Sequence, residues 1–251
     1  MKSNLIFKML LGCVAGLVLA VGSAQAAVIT LQSGGGTPLA ATTPDPAVKV
    51  LQGAAVGDFA TLTAGNFAAA QAGPAAFVVT PHPQWITPAA ALMPTAQWVS
   101  VTSNGGTNLA GNPAGSFSGL YAISFNVANP ALLSSAVLNM TVYADNLLGS
   151  VTNAGMYLNG VALAGSNGTG TTNSAAGTQV TLANVNIAAL LVAGVNTLYF
   201  DVVNTLTGPS GLMFFGTVTT TQVAVPVSGV AGLLALGLLM LVFVTRRSAR
   251  V

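Results

Sequence analysis

Residues 191–204 read LVAGVNTLYFDVVN and carry the clearest strand signal in the chain. Leu198, Phe200 and Val202 alternate with Tyr199, Asp201 and Val203, and Asp201 is the only charged residue of the stretch. A period of two is typical of a β-strand with one buried face. We therefore predict that Phe200 lies in the core and Asp201 on the outer face, because burying an unpaired carboxylate costs several kcal/mol.

The same alternation marks further strands on both sides of this stretch. Residues 120–127 and 137–144 alternate, and Asn159-Gly160 predicts a tight hairpin because both of its turn positions require positive φ. We also expect strands at 27–31, 75–80, 97–102 and 212–220, a helical turn at 187–192, and either a helix or short strands at 48–72. Strands separated by such frequent turns predict an all-β, antiparallel β-sandwich.

Residues 120–220 resemble the galactose-binding-like jelly-roll family. The shared features are Ala144-Asp145-Asn146 at a strand end, the hairpin Leu158-Asn159-Gly160, the spacing of Gly194, Asn196 and Asn204 around the opening stretch, and the turn from Gly208 to Leu212. The resemblance implies a jelly-roll sandwich, best defined over residues 117–220. It implies less about a ligand, since many members of this fold bind no sugar.

The N-terminus reads as an export signal. Lys2 and Lys8 precede the apolar residues 9–21, and Ala24-Gln25-Ala26 fits the small-x-small rule of signal peptidase. We predict cleavage after Ala26, so that residues 1–26 are a signal peptide. The only cysteine, Cys13, would leave with it, and the mature chain would have neither a disulfide nor a thiol nucleophile.

The C-terminus has three parts. A short motif, Val225-Pro226-Val227-Ser228-Gly229, precedes an apolar run and a basic end formed by Arg246, Arg247 and Arg250. The uncharged residues 223–245 would make about 34 Å of helix, enough for a hydrocarbon core of about 30 Å. The arginines stop transfer, because burying each one costs about 2.5–3.5 kcal/mol. We therefore predict a transmembrane helix within residues 223–251.

This tripartite end resembles the PEP-CTERM family of bacterial sorting signals, with Val227 standing where the family has an acidic residue. The resemblance implies processing by an exosortase, a membrane cysteine transpeptidase. Residues 27–222 would then be the exported body, first anchored in the membrane and then released to the cell surface or outside. A plain C-terminal anchor that is never processed remains the alternative.

The exported body carries few charges and one histidine: Asp45, Lys49, Asp58, Asp145, Asp201 and His82. No basic patch exists, which excludes nucleic-acid binding. His82 lies between two prolines without a Gly-x-Ser-x-Gly elbow. Asp145 reads as a turn cap, so we predict neither an enzyme nor a cofactor. Asp145, Asn146, Asp201 and Asn204 offer oxygens to Ca²⁺, but no EF-hand or Asp-rich repeat accompanies them, and we predict no metal site.

Two functions remain open for such a body. The first is a non-catalytic protein of the cell surface or of an extracellular, exopolysaccharide-rich matrix. The second is a carbohydrate-binding module of the same fold that ties the cell to polysaccharide. Trp85 and Trp98 are the candidate sugar contacts, although both indoles would equally suit the core.

Overall fold

The computed structural model describes residues 25–105, 117–170, 172–206 and 208–223. Residues 27–220 form one compact unit. Residues 1–26 and 221–251 group separately, and nearly all of them lie outside the described part. The predicted signal peptide and transmembrane segment fall there. Among the described residues, no helix is long and apolar enough to cross a membrane.

The described chain is mostly antiparallel β-structure with one α-helix, α1, at Ala64–Ala72. The strands are β1 Ala26–Gln32, β2 Pro44–Gln52, β3 Ala75–Val78, β4 Val99–Ser100, β5 Gly119–Val127, β6 Leu133–Asp145, β7 Leu147–Leu148, β8 Met156–Leu158, β9 Val161–Ala162, β10 Val180–Asn186, β11 Gly194–Val203 and β12 Gly211–Gln222. Two short 3₁₀ turns, Pro130–Leu132 and Ala188–Leu190, connect strands. The all-β prediction is confirmed at this level.

All twelve strands belong to one curled sheet. Its order is β10-β6-β12-β4-β3-β2-β5-β11-β8-β9, with β1 beside β12 and β7 beside β11. A long, uninterrupted register joins β11 to β5, from Gly194 opposite Val127 to Val202 opposite Gly119. On its other side β5 pairs with β2 only over residues 119–123, so its second half has β11 as its sole described neighbour.

The inner face of the sheet encloses the main core. Alternate residues of β5 and β11 point into it, including Tyr121, Ile123, Leu198 and Phe200. The rings of Phe200 in β11 and Phe214 in β12 stack at 4.4 Å between centroids. These two strands are far apart in the strand order, so this contact is made possible by the curl of the sheet. The prediction that Phe200 is buried is confirmed, since its exposure is 0%.

The outer face of β5, β8 and β11 is covered as well. Helix α1 begins at the N-cap Thr63 with a capping box to Asn66, and it places Phe67 against the sheet. The Phe67 ring lies 5.0 Å from Tyr157 and 4.9 Å from Tyr199. The structure thus resolves the ambiguous residues 48–72 into the end of β2 followed by a helix.

Asp201 is completely buried, so the prediction that it faces solvent is wrong. Its side chain does lie on the face opposite Phe200, as the alternation requires. That face is closed by other parts of the chain. Gly149 donates to the Asp201 carbonyl at 2.8 Å, the Asp201 amide donates to Gly155 at 2.9 Å, and the Asp58 carboxylate lies alongside.

The predicted hairpin is confirmed. Asn159 and Gly160 have φ of 52° and 83° and connect β8 to β9. The Asn159 side chain also donates to the Leu190 carbonyl at 2.8 Å and accepts from the Thr197 amide at 2.9 Å. The turn residue therefore fixes the hairpin against the start of β11 as well as reversing the chain.

Candidate functional site

The carboxylates of Asp58 and Asp201 lie next to each other beneath the outer face of β11. Burial, followed by the charge and hydrogen bonding of Asp58, raises the pKa of Asp201 to about 9. Apart from the Asp58 carboxyl group, no side chain in the described residues hydrogen-bonds to either carboxylate oxygen of Asp201. The polar neighbour of the fully buried Asp201 side chain is therefore another acid, Asp58.

Asp58, by contrast, is well supplied with donors. Its carboxylate accepts from its neighbour's amide, Phe59 N, at 2.6 Å, from the Asn153 side chain at 3.0 Å and from the Ser150 hydroxyl. The Asn153 amide nitrogen also lies 3.2 Å from the Phe59 carbonyl and 3.0 Å from the Ala60 carbonyl. Five oxygens, on Asp58, Phe59, Ala60 and Ser150, are therefore gathered within a small volume, and Asp58 is partly exposed.

The loop that carries Ser150 and Asn153 is held in one conformation. The Ser150 backbone amide donates to the backbone carbonyl of Asn153 at 2.9 Å, and the side-chain oxygen of Asn153 accepts from the Leu62 backbone amide at 3.1 Å. Gly149 has φ of 71°, and a Cβ there would lie 2.5 Å from the Gly155 nitrogen. A larger residue at Gly149 would have to move that backbone, so the loop requires glycine here.

Asn204 closes the end of the same region. It pairs with Gly57, the residue before Asp58, and its side-chain nitrogen donates to the Ala55 carbonyl at 2.7 Å. Its backbone amide donates to the Ser118 hydroxyl at 2.8 Å. Its side-chain oxygen is buried and has no hydrogen-bond partner among the described residues.

Trp85, Trp98 and Asp145 form a separate buried cluster. The indole of Trp85 donates to Asp145 at 2.6 Å, and the indole of Trp98 donates to the Ile86 carbonyl at 2.9 Å. The two rings lie 4.2 Å apart, and their exposures are only 4% and 1%. Neither indole offers an exposed ring face on which a sugar could stack. Burial raises the pKa of Asp145, and the hydrogen bond from Trp85 partly offsets that rise.

His82 is placed in the predicted turn and shows no catalytic partner. Its Nδ1 accepts from the Gln84 amide at 3.3 Å, and its ring centroid lies 6.3 Å from that of Trp85. In the described part of the chain, neither a serine hydroxyl nor a carboxylate hydrogen-bonds to it. The two acids considered from the sequence, Asp145 and Asp201, have different partners and do not form a pair across a cleft.

An open groove of about 540 Å³ lies between β1 and the half of β5 that does not pair with β2. Residues 29–32 form one wall and residues 123–126 the other, and its lining contains no charged side chain. Ser124 and Asn126 are exposed, whereas Ile123 and Phe125 form an apolar floor. Gln32 and Thr95 also line the groove, and the Thr95 hydroxyl donates a hydrogen bond to the Gln32 side-chain oxygen at 3.1 Å.

The other sequence-predicted residues fall largely outside the described part. These are the sorting motif Val225, Pro226, Val227, Ser228 and Gly229, the stop-transfer residues Arg246, Arg247 and Arg250, and Ala24 of the cleavage site. Ala26 is described and begins β1. Within the described residues, His, Cys, Asp and Glu do not gather in groups of three or more.

Sequence reasoning missed Asp58, Ser150 and Asn153. Asp58 follows a glycine in an irregular segment, and no local pattern shows that it meets a strand far along the chain. The available signal was Asp201 itself, an acid inside an apolar strand. The chain matches no known family model, no curated protein and no solved structure.

Proposed function

We propose that the protein is an exported, non-catalytic component of the cell surface or extracellular matrix, sorted through its C-terminal segment. The observation that carries the proposal is the sequence of its two ends. A signal peptide with its site at Ala24 and Ala26 precedes the body, and a Pro226 motif, an apolar run and an arginine cluster follow it. Signal peptidase and an exosortase-type enzyme are the implied partners.

The described body supports this proposal. We interpret its curled sheet as a jelly-roll sandwich of the galactose-binding-like type, with α1 packed on one outer face. Its surface is polar but nearly uncharged, because the acids Asp45, Asp145 and Asp201 are buried. Interactions made by a surface with so few charges depend little on salt.

The positions of the ionisable groups also favour a role without catalysis. A general base needs access to its substrate. Asp145 is bonded to a buried indole, Asp45 accepts from the amides of Gly34 and Ala47 at 2.6 and 2.8 Å, and Asp201 lies under a loop. Each of these acids has a structural contact in place of an open cleft.

Sorting is tested by following a tagged chain in a host that has an exosortase. A tag inserted after Gly177 lies in an exposed turn, where no other heavy atom would come within 4 Å of a Cβ added to the glycine. We expect tagged protein at the cell surface or in the medium, without residues 246–251 by mass spectrometry. The variant Pro226→Ala should accumulate in the membrane with its arginines attached.

Two outcomes would overturn parts of this proposal. Surface protein that retains Arg246 to Val251 would leave only the plain anchor. Tagged protein that stays in the cytoplasm with an intact N-terminus would overturn export itself.

The groove favours carbohydrate binding as a second candidate. A volume of about 540 Å³ with hydroxyls, amides and an apolar floor suits a short stretch of neutral glycan. In polysaccharide pull-downs, Asn126→Ala and Gln32→Ala should weaken binding. Asn129→Ala is the control, because this exposed asparagine makes no side-chain cap bond. Equal binding by all three variants would exclude the groove.

A further inference from the structure

We propose that strand β1 is a self-association edge, where a second copy of this chain adds its own β1 antiparallel to the first, about a two-fold axis at Ile29. The inference concerns the backbone of β1 and depends neither on the sorting pathway nor on carbohydrate binding. It starts from the neighbours of this strand. Among the described residues β1 pairs with β12 alone, so one of its two edges has no neighbouring strand.

The backbone bonds at the two ends of β1 show which residues face the open edge. The Ser33 amide donates to a carbonyl of β12 at 3.1 Å, and the Gln25 carbonyl accepts from an amide of β12 at 3.0 Å. These two bonds are equally spaced along both strands, so no bulge lies between them. Because backbone groups alternate between the two edges of a strand, the N–H and C=O groups of Val28 and Thr30 point away from β12. No described group hydrogen-bonds to them there.

This open edge carries none of the features that usually prevent strands from pairing. Soluble proteins protect such edges with charged side chains, prolines or bulges. Residues 26–32 read AAVITLQ and contain neither a charge nor a proline. Val28 and Thr30 are exposed, Val28 at 63%. The groove between β1 and β5 runs along the same edge, and its lining is uncharged as well. A strand that approaches β1 therefore meets no charged or bulged obstacle on the strand itself.

A second copy of β1 is complementary to this edge. With the axis at Ile29, the two strands overlap over all of residues 26–32, and Val28 of each copy lies opposite Thr30 of the other. Their open backbone groups then hydrogen-bond in both directions, as in any antiparallel ladder. The outer face gains two pairs of β-branched side chains, and the two Ile29 side chains meet on the side that packs against the core. One contact thus completes two open edges, as a self-complementary two-fold interface requires.

The second copy lies on the groove side of β1. Thr30 and Ile29 belong to the groove wall, so pairing at this edge covers that wall. Self-association and glycan binding in the groove therefore exclude each other, and an experiment on β1 separates the two occupants.

The first test measures the mass of the full chain in density-matched detergent by sedimentation equilibrium. Thr30→Pro removes an N–H group that β12 does not use, so the variant should keep the wild-type Tm. A dimer would lose two hydrogen bonds across the axis. We expect the wild type to dimerise and Thr30→Pro to dimerise at least about 30-fold more weakly. Thr30→Val is the matched control, because it loses the hydroxyl but keeps the N–H group, and it should dimerise like the wild type.

A second test measures the register and does not depend on the proline variant. Cys13 is the only cysteine, so a Cys13→Ser background has no other thiol. In that background, a chain with Val28→Cys and a differently tagged chain with Thr30→Cys should form a disulfide when they are mixed. Residues opposite each other in such a ladder have Cα atoms about 5.5 Å apart, which a disulfide can span. Val151→Cys, at an exposed loop position, replaces Val28→Cys in the control mixture.

Three results would overturn the proposal. The first is a wild type that sediments as a monomer at all concentrations. The second is a dimer that Thr30→Pro leaves unchanged, since the copies would then associate elsewhere. The third is a mixture of Val28→Cys and Thr30→Cys that cross-links no more than the Val151→Cys control. In each case the groove beside β1 would be left open to a glycan.

Discussion

Phe200 and Asp201 are consecutive residues of β11, and both are fully buried in different surroundings. Phe200 lies in the main core, where its ring stacks on that of Phe214. Asp201 lies beneath the loop 149–155 beside another acid. Because successive side chains of a strand point to opposite faces, Phe200 packs in the apolar core while Asp201, the next residue, lies in a polar environment on the other face.

The packing function gives the first prediction. Phe200→Ala removes a ring that is completely buried, and it should lower the free energy of unfolding by about 3–5 kcal/mol through lost burial and a cavity. Val195→Ala in the same strand changes a side chain that is 56% exposed and should stay within about 0.5 kcal/mol. Urea unfolding of both variants measures the difference, and similar losses would contradict the proposed core.

Asp145 gives a pH-dependent prediction. Burial raises its folded-state pKa above the ordinary 3.8, so the folded protein retains a proton that the unfolded chain has lost. This stabilisation is complete below about pH 4 and disappears as pH rises through the folded-state pKa. We therefore expect Asp145→Asn to show a shallower fall in stability from pH 4 upward, in urea unfolding followed by tryptophan fluorescence.

A second variant checks the cause. The hydrogen bond from Trp85 lowers the pKa of Asp145, so Trp85→Phe should extend the fall in stability to higher pH. An unchanged pH dependence in both variants would mean that Asp145 titrates normally.

At the scale of elements, the hairpin between β8 and β9 depends on its glycine. Gly160 has φ of 83°, and an added Cβ would lie 3.3 Å from the Phe67 ring of α1. Gly160→Ala should cost about 1–2 kcal/mol in unfolding free energy, because L-residues disfavour that conformation. Gly208→Ala is the matched control, since nothing lies within 4 Å of its added Cβ. Equal costs would show that the turn tolerates a side chain.

Strong local patterns predicted their elements well. The alternation in β5, β6 and β11 and the Asn159-Gly160 turn all gave the observed structure. Strand β10 was missed because its alternation breaks at a register shift between Leu182 and Val185, where Asn184 has φ of 55°. A bulge of this kind disrupts the two-residue period on which the prediction rests.

At the scale of the whole molecule, burial could not be read from one strand. In the sequence, the outer face of β11 is half polar, which suggests an exposed face. In the structure this face is covered by α1, by the segment before α1 and by the loop 149–155. The position of Asp201 opposite Phe200 was therefore predictable, whereas its exposure was not. The same limit hid Asp58, whose contact with β11 spans much of the chain.

The position of Lys49 has a consequence for proteolysis. It is the only Lys or Arg between Lys8 and Arg246, and it lies half-buried in β2, hydrogen-bonded between β3 and β5. A trypsin-like protease must bind an extended, released segment, so it should not cut the folded body. The folded chain should remain intact in trypsin, whereas subtilisin should degrade it. After heat unfolding, the variant Lys49→Ala should still resist trypsin over residues 9–245, because it has no Lys or Arg there. Even after unfolding, trypsin can cut residues 9–245 only after Lys49, so everything from Val50 onward stays in one very large fragment, and a tryptic mass-spectrometry survey would detect this part of the chain only through the segment that ends at Lys49.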